Sequence, residues 1–397
     1  MQTFKSIIKS SRFEFICNFC YKMNVELSIT EQCNLRCSYC YYRETHGKRC
    51  AVMSDEVMEA AVRLAVKKSI EIQDTFLNIT FFGGEPLLRM DFIKKSVKFA
   101  KELVKQNAGK FKKSFFLHFS INTNGTLLTD EIIKYLKKER FGVAISLDGP
   151  EKKHNIARVF ANGKGSFRAI KPFIPALLEL DVHAVSIVTQ QRVKGFADSI
   201  KWLFKQGFKR VGIDVDFNGK WTGEDFDNLI VEYEKLARFW YRSKKENLGI
   251  RVGLIQDKVT MGLSEIRQKE YGCFINNHTL VVAANGNTFP CTRFISSQQK
   301  APYVTGNVLD KKSGVYKGIM PPDVSRFTKT DRKECDGCAI RYRCIAHECG
   351  CTSYYSTGSL DKISPEVCTH ERILCAICDE YAAKLLKELP LENILYS

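Results

Sequence analysis

The chain has 397 residues, of which 44% are hydrophobic and 26% are charged, and its formal net charge is +17. The composition is typical of a globular protein, and the length predicts one large domain with a smaller one. The sequence contains no apolar run of membrane-spanning length and no secretory signal, so we expect a cytoplasmic protein without a membrane partner. No basic run is interleaved with aromatic residues, so we do not expect nucleic-acid binding. The positive charge favours an acidic protein or peptide partner.

Strand-like and helix-like segments alternate along the first 250 residues. Ser54, which precedes Asp55 and Glu56, is the predicted N-cap of the first helix. The alternation predicts an α/β fold with a parallel sheet and crossover helices. Six strands indicate a partial (β/α)6 barrel of the TIM type, in which reactive groups lie at the carboxyl ends of the strands. The predicted strands are 26–30, 78–84, 115–125, 142–149, 184–189 and 210–217, and the predicted helices are 54–73, 91–107, 129–139, 167–180 and 195–206.

The composition changes near residue 250. A polar helical stretch at 222–247 ends the alternation, and cysteines, glycines and short segments dominate from Cys273 to a final helix at 369–388. We predict an N-terminal extension at 1–23, the partial barrel at 24–250 and a cysteine-rich domain at 251–397.

The sixteen cysteines are distributed unevenly, with six at 17–50, ten at 273–378 and none between these ranges. Disulfides are rare in the reducing cytoplasm, so clustered cysteines indicate metal ligands. Cys33, Cys37 and Cys40 follow the first strand in the pattern C-x3-C-x2-C. A [4Fe–4S] cluster usually has four thiolate ligands, so three would leave one iron open to a small molecule. A zinc site or a structural cluster is the alternative.

This pattern, with Tyr39 before the last cysteine, resembles that of radical S-adenosylmethionine (SAM) enzymes. The resemblance implies that the amino and carboxylate groups of SAM chelate the open iron. One electron then cleaves SAM to a 5′-deoxyadenosyl radical, which abstracts a hydrogen atom from a substrate. Flavodoxin or ferredoxin is the implied reductant.

Other segments at the ends of predicted strands match the same family. Gly83-Gly84-Glu85-Pro86 is implied to contact the amino group of SAM, and Arg158 to pair with its carboxylate. Asp148 is a candidate substrate contact. The remaining implied cofactor-binding residues at strand ends are Asn122, Asn124 and Ser146.

The C-terminal cysteines resemble the SPASM extension of radical SAM enzymes, which holds two auxiliary [4Fe–4S] clusters and brings the expected total to three. A hairpin predicted at Asn285-Gly286 carries two of these cysteines. A strict match would place a further cysteine at Glu348, so Cys349, Cys351 or both are candidates for that role. A pair of zinc sites is the alternative. The implied ligands are Cys335, Cys338, Cys344 and Cys368 for one cluster, and Cys273, Cys291 and Cys349 or Cys351 for the other.

Five cysteines remain outside these patterns. Cys17, Cys20, Cys375 and Cys378 form two C-x2-C pairs, which are either a fourth metal site or buried or free thiols. Cys50 fits no pattern, and we expect a free thiol.

The resemblance implies an oxidoreductase that modifies a ribosomally made peptide or protein, through a thioether or another crosslink. One alternative is an anaerobic sulfatase-maturing enzyme, which converts Cys or Ser to formylglycine. In those enzymes an aspartate follows the second hairpin cysteine; Thr292 stands there in this chain, so Asp148 or another acid would have to serve as the base. The other alternative is a non-catalytic iron–sulfur electron-transfer or scaffold protein.

About 25 residues precede the first strand, too few for a leader-binding module of the size of a small domain. Recognition of a leader peptide would then need a separate leader-binding protein or the basic surface of the chain itself.

Overall fold

A single sheet runs through the part of the chain that the computed structural model describes, which comprises residues 23–40, 42, 50–111, 114–263, 279–295, 303–310 and 332–396. Its strand order is β10-β9-β8-β1-β2-β3-β4-β5-β6-β7, and strands β1 to β7 are parallel to their neighbours. The bounds are β1 Met23–Thr30, β2 Phe76–Gly83, β3 Phe116–Thr123, β4 Gly142–Ser146, β5 Asp181–Val188, β6 Arg210–Val215, β7 Arg251–Val252, β8 Thr279–Val282, β9 Asn287–Phe289 and β10 Gly306–Asn307.

Helices connect the parallel strands, as predicted. The helices are α1 Asp55–Glu71, α2 Met90–Gln106, α3 Asp130–Lys138, α4 Glu151–His154, α5 Phe167–Ile170, α6 Ile174–Leu177, α7 Phe196–Lys205, α8 Gly223–Lys245, α9 Gly253–Leu263, α10 Ile345–Glu348, α11 Gly350–Thr357, α12 Pro365–Leu386 and α13 Leu391–Tyr396. The predicted six-stranded partial barrel is confirmed, and β7 and β8 extend it at either edge.

Local sequence explains where these helices begin and break. The Ser54 hydroxyl accepts a hydrogen bond from Val57 N, which confirms the predicted N-cap of α1. The helix predicted at 167–180 is instead divided into α5, a 3-10 turn at Lys171–Phe173 and α6. Pro172 and Pro175 lack the N–H that a continuous helix would need there.

The two faces of the sheet differ in polarity. On β1, Met23, Val25, Leu27 and Ile29 are fully buried in the main hydrophobic core, which also contains buried residues of α1. Alternate residues of a strand point to opposite faces, so the other β1 side chains face the interior of the partial barrel. The helices therefore cover the apolar face, and the polar face lines the interior.

The chain beyond residue 250 adds to this sheet. Strand β8 pairs in parallel with β1, and β8 and β9 form the hairpin predicted at Asn285-Gly286, where Gly286 has a φ of +86°. Helix α12 packs against α8 and α9. The proposed division at residue 250 stays a prediction. Within the described residues, no helix combines the length and the apolar composition that crossing a membrane requires.

A buried ion pair joins helix α9, which packs against β6, to the segment around Cys344. Lys258 on α9 donates to Glu371 on α12 and to the Arg343 carbonyl, which immediately precedes Cys344. Glu371 also accepts a hydrogen bond from Ile345 N. Burial raises the pKa of Glu371, but His370 and Lys258 outweigh burial and hold the pKa near 2. The ion pair thus fixes the position of Cys344 relative to the sheet.

Replacing Glu371 with Ala should lower the free energy of unfolding by about 3–5 kcal/mol, because the change leaves the Lys258 ammonium buried without its partner. Urea denaturation of the reconstituted protein measures the change. Glu380→Gln is the matched control, since the Lys384–Glu380 pair on the same helix is exposed and should contribute little to stability. Equal effects of the two substitutions would contradict the role given to the buried pair.

Candidate functional site

The segment 31–40 leaves the carboxyl end of β1 and carries Cys33, Cys37 and Cys40; we call it the cysteine loop. Backbone hydrogen bonds attach it to two other parts of the chain. On one side, Gly84 N donates to the Thr30 carbonyl and Glu85 N donates to the Gln32 carbonyl, both at 2.8 Å. On the other side, Arg36 N donates to the Val159 carbonyl at 2.7 Å, and Ser38 N donates to that of Ala157 at 3.1 Å. The loop is therefore held from both sides.

The first attachment requires glycine at both positions. A Cβ on Gly84 would lie 2.2 Å from the Gln32 carbonyl oxygen, and one on Gly83 would lie 2.2 Å from that of Thr30. Gly83 also has a φ of +138°, which disfavours other residues. The implied contact of this segment with SAM stays a prediction; the structure shows a close approach to the backbone at the start of the cysteine loop.

Glu85 fastens the same corner to the end of β3. Its carboxylate is fully buried and accepts hydrogen bonds from Leu87 N, Asn124 N and the Thr123 hydroxyl, at 3.0, 2.7 and 2.7 Å. Burial raises the pKa of Glu85 to about 7, although these donors favour its charged form. The carboxylate is thus engaged with protein donors, and the Glu85 backbone contacts the loop.

Asn124 touches the first cysteine. Its amide Nδ2 lies 3.8 Å from Cys33 Sγ and donates to Asn34 at 3.0 Å, while Leu35 N lies 3.4 Å from the same sulfur. Hydrogen bonds to a cysteine sulfur tune the clusters that it ligates. By contrast, the Asn122 side chain is exposed and that of Ser146 is half-buried, at the ends of β3 and β4.

Arg158 lies against the loop, where its guanidinium covers the Tyr39 ring at 5.3 Å from the centroid. It donates to both carboxylate oxygens of Asp148, at 2.8 and 3.3 Å. Arg192 lies 3.3 Å from the same carboxylate and donates to the Asp148 carbonyl at 2.7 Å. Burial raises the pKa of Asp148, but the two guanidinium groups outweigh burial and lower the pKa to about 2.

This arrangement bears on the predicted role of Asp148. Its side chain is fully buried, and both oxygens are engaged by Arg158, Arg192, Tyr39 and Ile187 N. In this conformation a substrate cannot reach it. A carboxylate held charged by two arginines is also a weak base. The geometry shows that Asp148 connects the end of β4 with β5 and the cysteine loop.

The three thiols share one cleft of about 650 Å³, lined by residues 31–37 with Cys40, Cys50, Gly84 and Leu88. Burial raises the pKa of Cys33 to about 12 and of Cys37 to about 11. Within the described residues, no three Cys, His, Asp or Glu side chains converge as ligands of a single metal ion would. The fit to a cluster therefore depends on the donor set, which is three thiols on one rigid loop beside an open cleft.

The C-terminal cysteines form two groups. Cys291 follows β9 and accepts a hydrogen bond from Cys351, and Cys349 is also near it. The structure thus places both Cys349 and Cys351, the alternative ligands, beside Cys291. Cys273 lies outside the described residues. In the second group, burial raises the pKa of Cys335, and the nearby thiols of Cys338 and Cys368 raise it further. Cys344 packs with Ala346 and Val367 in a small hydrophobic core.

Cys375 and Cys378 are buried on α12, and Cys378 belongs to the main hydrophobic core. This placement agrees with the expectation of buried thiols; Cys17 and Cys20 lie outside the described residues. Cys50 is exposed in the cleft of the cysteine loop.

Three polar residues at this site were not among the predicted ones. Arg192 is 2% exposed and joins the Asp148 network from the segment after β5. Asp216 follows β6 directly, is half-buried and lies near Arg293; burial raises its pKa. Glu26 on β1 faces the interior, near Cys291, and burial raises its pKa to about 7. Arg192 and Asp216 follow the ends of strands, and this position could have marked these two residues as candidates.

Replacing Gly84 with Ala should destabilise the protein by roughly 1–3 kcal/mol and lower the iron bound after reconstitution, because the added Cβ meets backbone that cannot move aside. Gly109→Ala is the control, since a Cβ there meets nothing within 4 Å. Thermal unfolding and iron analysis of both variants measure the effect. A Gly84→Ala protein that binds iron like the control would contradict the role of the close approach.

The sequence of the chain is similar to those of known proteins over the segment that carries the cysteine loop. The Radical SAM superfamily matches residues 27–191, from β1 to the segment after β5. The chain is 26% identical over 316 residues to a cysteine-type anaerobic sulfatase-maturating enzyme of Clostridium novyi, which covers 76% of this chain and 82% of the relative.

Two solved structures share the fold. Native anSMEcpe with bound AdoMet and Cp18Cys peptide superposes with a TM-score of 0.73 at 18% identity, over 92% of this chain and all of that one. SuiB of Streptococcus suis bound to precursor peptide SuiA gives 0.57 at 15% identity, over 90% and 78%. These likenesses extend over the cysteine-rich C-terminal part. The match of residues 27–191 therefore places this part of the chain in the radical SAM superfamily, whose enzymes use S-adenosylmethionine and a [4Fe–4S] cluster.

Proposed function

We propose that this enzyme binds its [4Fe–4S] cluster through Cys33, Cys37 and Cys40, and modifies a peptide or protein substrate after abstracting a hydrogen atom. The observation that carries the proposal is the rigid cysteine loop, whose three thiols line one cleft at the carboxyl ends of the strands. When bound there, cluster and SAM supply the 5′-deoxyadenosyl radical.

The residues of the chain hold and shape this site. Asn124 and Leu35 N donate toward Cys33, and the Arg158 charge favours the thiolate of Cys37. Gly84 lines the cleft, and we assign Gly83, Gly84 and Pro86 to the amino group of SAM, with the buried Glu85 carboxylate holding this segment in place through its hydrogen bonds. We assign Arg158, which packs on the Tyr39 ring of the cysteine loop, to the SAM carboxylate. Asn122 and Ser146 are the polar groups assigned to the remaining parts of SAM.

A peptide substrate is supported by the proteins that share the fold. Both anSMEcpe and SuiB were solved with bound peptides. The expected product is a thioether or another crosslink, and the two C-terminal cysteine groups are assigned to auxiliary clusters that bind a substrate thiolate or accept an electron. Flavodoxin or ferredoxin, a separate leader-binding protein and the cytoplasmic location stay predictions.

A second candidate function is oxidation of Cys or Ser to formylglycine, favoured by the names of the curated relatives. The base in that reaction needs an accessible carboxylate, which Asp148 does not offer. Asp216 suits the role better, because it is half-buried at the carboxyl end of β6 near Arg293, and Arg293 follows Thr292 and Cys291. Mass spectrometry of a treated peptide distinguishes the products: a crosslink loses two hydrogens without gaining an aldehyde, whereas formylglycine reacts with a hydrazide reagent.

Replacing Cys37 with Ala should abolish 5′-deoxyadenosine formation in an assay with SAM and dithionite, because the cluster loses a ligand of the loop. Cys50→Ala tests whether the fourth iron is open, since Cys50 is the exposed thiol of the same cleft. We expect that variant to keep both iron and SAM cleavage. If Cys50→Ala also lost them, Cys50 would occupy the fourth position and the proposed SAM site would be wrong.

Replacing Cys335 with Ala should leave part of the SAM cleavage while removing the peptide product, because Cys335 belongs to the group formed with Cys338 and Cys368. Liquid chromatography of 5′-deoxyadenosine and mass spectrometry of the peptide measure the two outputs. A variant that still modified the peptide at the wild-type rate would exclude a catalytic role for that group.

A further inference from the structure

A groove between α7 and α8 is strongly basic and has an apolar floor. Its volume is about 600 Å³. Phe204 and Phe239 pack at its floor with ring centroids 5.5 Å apart, beside Ile250 and the 44% exposed Leu248. Its cationic lining residues are Lys201, Lys205, Lys209, Lys235, Arg238 and Arg242, and none of the described residues that line it is acidic.

Half of these cations have local partners. Lys201, Lys235 and Arg238 pair with Asp198, Glu232 and Glu234 on their own helices. Lys205, Lys209 and Arg242 are exposed, and none of the acidic side chains in the described ranges pairs with them. The groove therefore presents uncompensated positive charge around an apolar floor.

The groove lies away from the cysteine loop. Lys205 ends α7, Lys209 directly precedes β6, and Leu248 and Ile250 precede β7. These positions are at the amino ends of the strands, whereas the cysteine loop leaves the carboxyl end of β1. An electron carrier must approach the cluster, so its docking site is expected at the other end of the molecule.

We propose that this groove binds an acidic segment of the peptide substrate that carries apolar side chains, an inference that rests on the proposed function. Charge complementarity selects this occupant, because acidic groups would neutralise the three unpaired cations while apolar side chains cover the phenylalanine floor. A second copy of a +17 chain would be repelled. The chain's own segments outside the described ranges contain no net acidic stretch; residues 1–22, for example, have four basic side chains and one acidic one.

The position of the groove has a consequence for the substrate. Strand β6 has six residues and spans about 20 Å, so the docked segment and the modified residue must be separated by at least about six extended residues. Docking at a distance raises the effective concentration of the reacting part at the site without using groups of the active site.

The test measures binding of fluorescein-labelled 12-residue peptides to the reconstituted full chain. The probe peptide contains glutamate and leucine; one comparison peptide has lysine for glutamate, and another has serine for leucine. In the variant Lys205→Glu/Lys209→Glu/Arg242→Glu, the acidic peptide should bind at least about tenfold more weakly. Leu248→Ser should weaken binding by roughly three- to tenfold. The control Lys105→Glu/Lys134→Glu/Lys138→Glu changes the net charge equally on the exposed surfaces of α2 and α3 and should change binding less than about twofold.

Several results would overturn the proposal. Equal weakening by the control would show attraction by total charge alone. Equal binding of the serine peptide, or tighter binding of a 12-nucleotide oligo-dT with the same dependence on the groove, would exclude an acidic apolar segment as the occupant. SAM cleavage with dithionite is measured on every variant and should be unchanged. If the wild type failed to cleave SAM, the proposed function would fail while the binding result stood separately.

Discussion

The site depends on a close backbone approach between the cysteine loop and the corner at Gly83 and Gly84. Because these two residues have no side chain, Gly84 N and Glu85 N can donate directly to the carbonyls of Thr30 and Gln32. Hydrogen bonds of this kind are directional, so they set the orientation of the loop as well as its position. The segment 157–160 supplies the same constraint from the opposite side. These hydrogen bonds hold a short loop with three thiols in one orientation.

Buried charges raise the free energy that is needed to disturb this arrangement. Asp148, Arg158 and Arg192 are almost fully buried, and the Asp148 carboxylate pairs with both guanidinium groups and accepts a hydrogen bond from Ile187 N. Removing Asp148 would leave two guanidinium charges unpaired in a region of low polarity. The network connects β4, the segment after β5 and Tyr39 of the cysteine loop. The Lys258–Glu371 pair performs an equivalent function for the segment around Cys344.

The two ends of the barrel differ in chemistry. The carboxyl ends of the strands gather thiols, amides and carboxylates, as expected where loops converge on the end of a parallel sheet. The amino ends of β6 and β7 lie beside a groove with exposed cations and phenylalanine side chains. This separation lets one end recognise a substrate by charge while the other performs radical chemistry, so that binding and reactivity depend on different residues.

Periodic and local patterns were predictable from the sequence alone. The alternation of strands and helices, the Ser54 cap, the Asn285-Gly286 hairpin and the cysteine loop after the first strand all depend on residues close together in the chain. The roles of Asp148 and Glu85 were not predictable in this way. A carboxylate holds segments together only when donors from other parts of the chain surround it. The groove between α7 and α8 likewise exists only after β6 and β7 pair and bring separate basic residues together. Local sequence determined most of the strands and helices and the position of three cysteines after the first strand, whereas tertiary packing decided which polar groups are buried and which remain accessible, because burial depends on contacts between residues far apart in the chain.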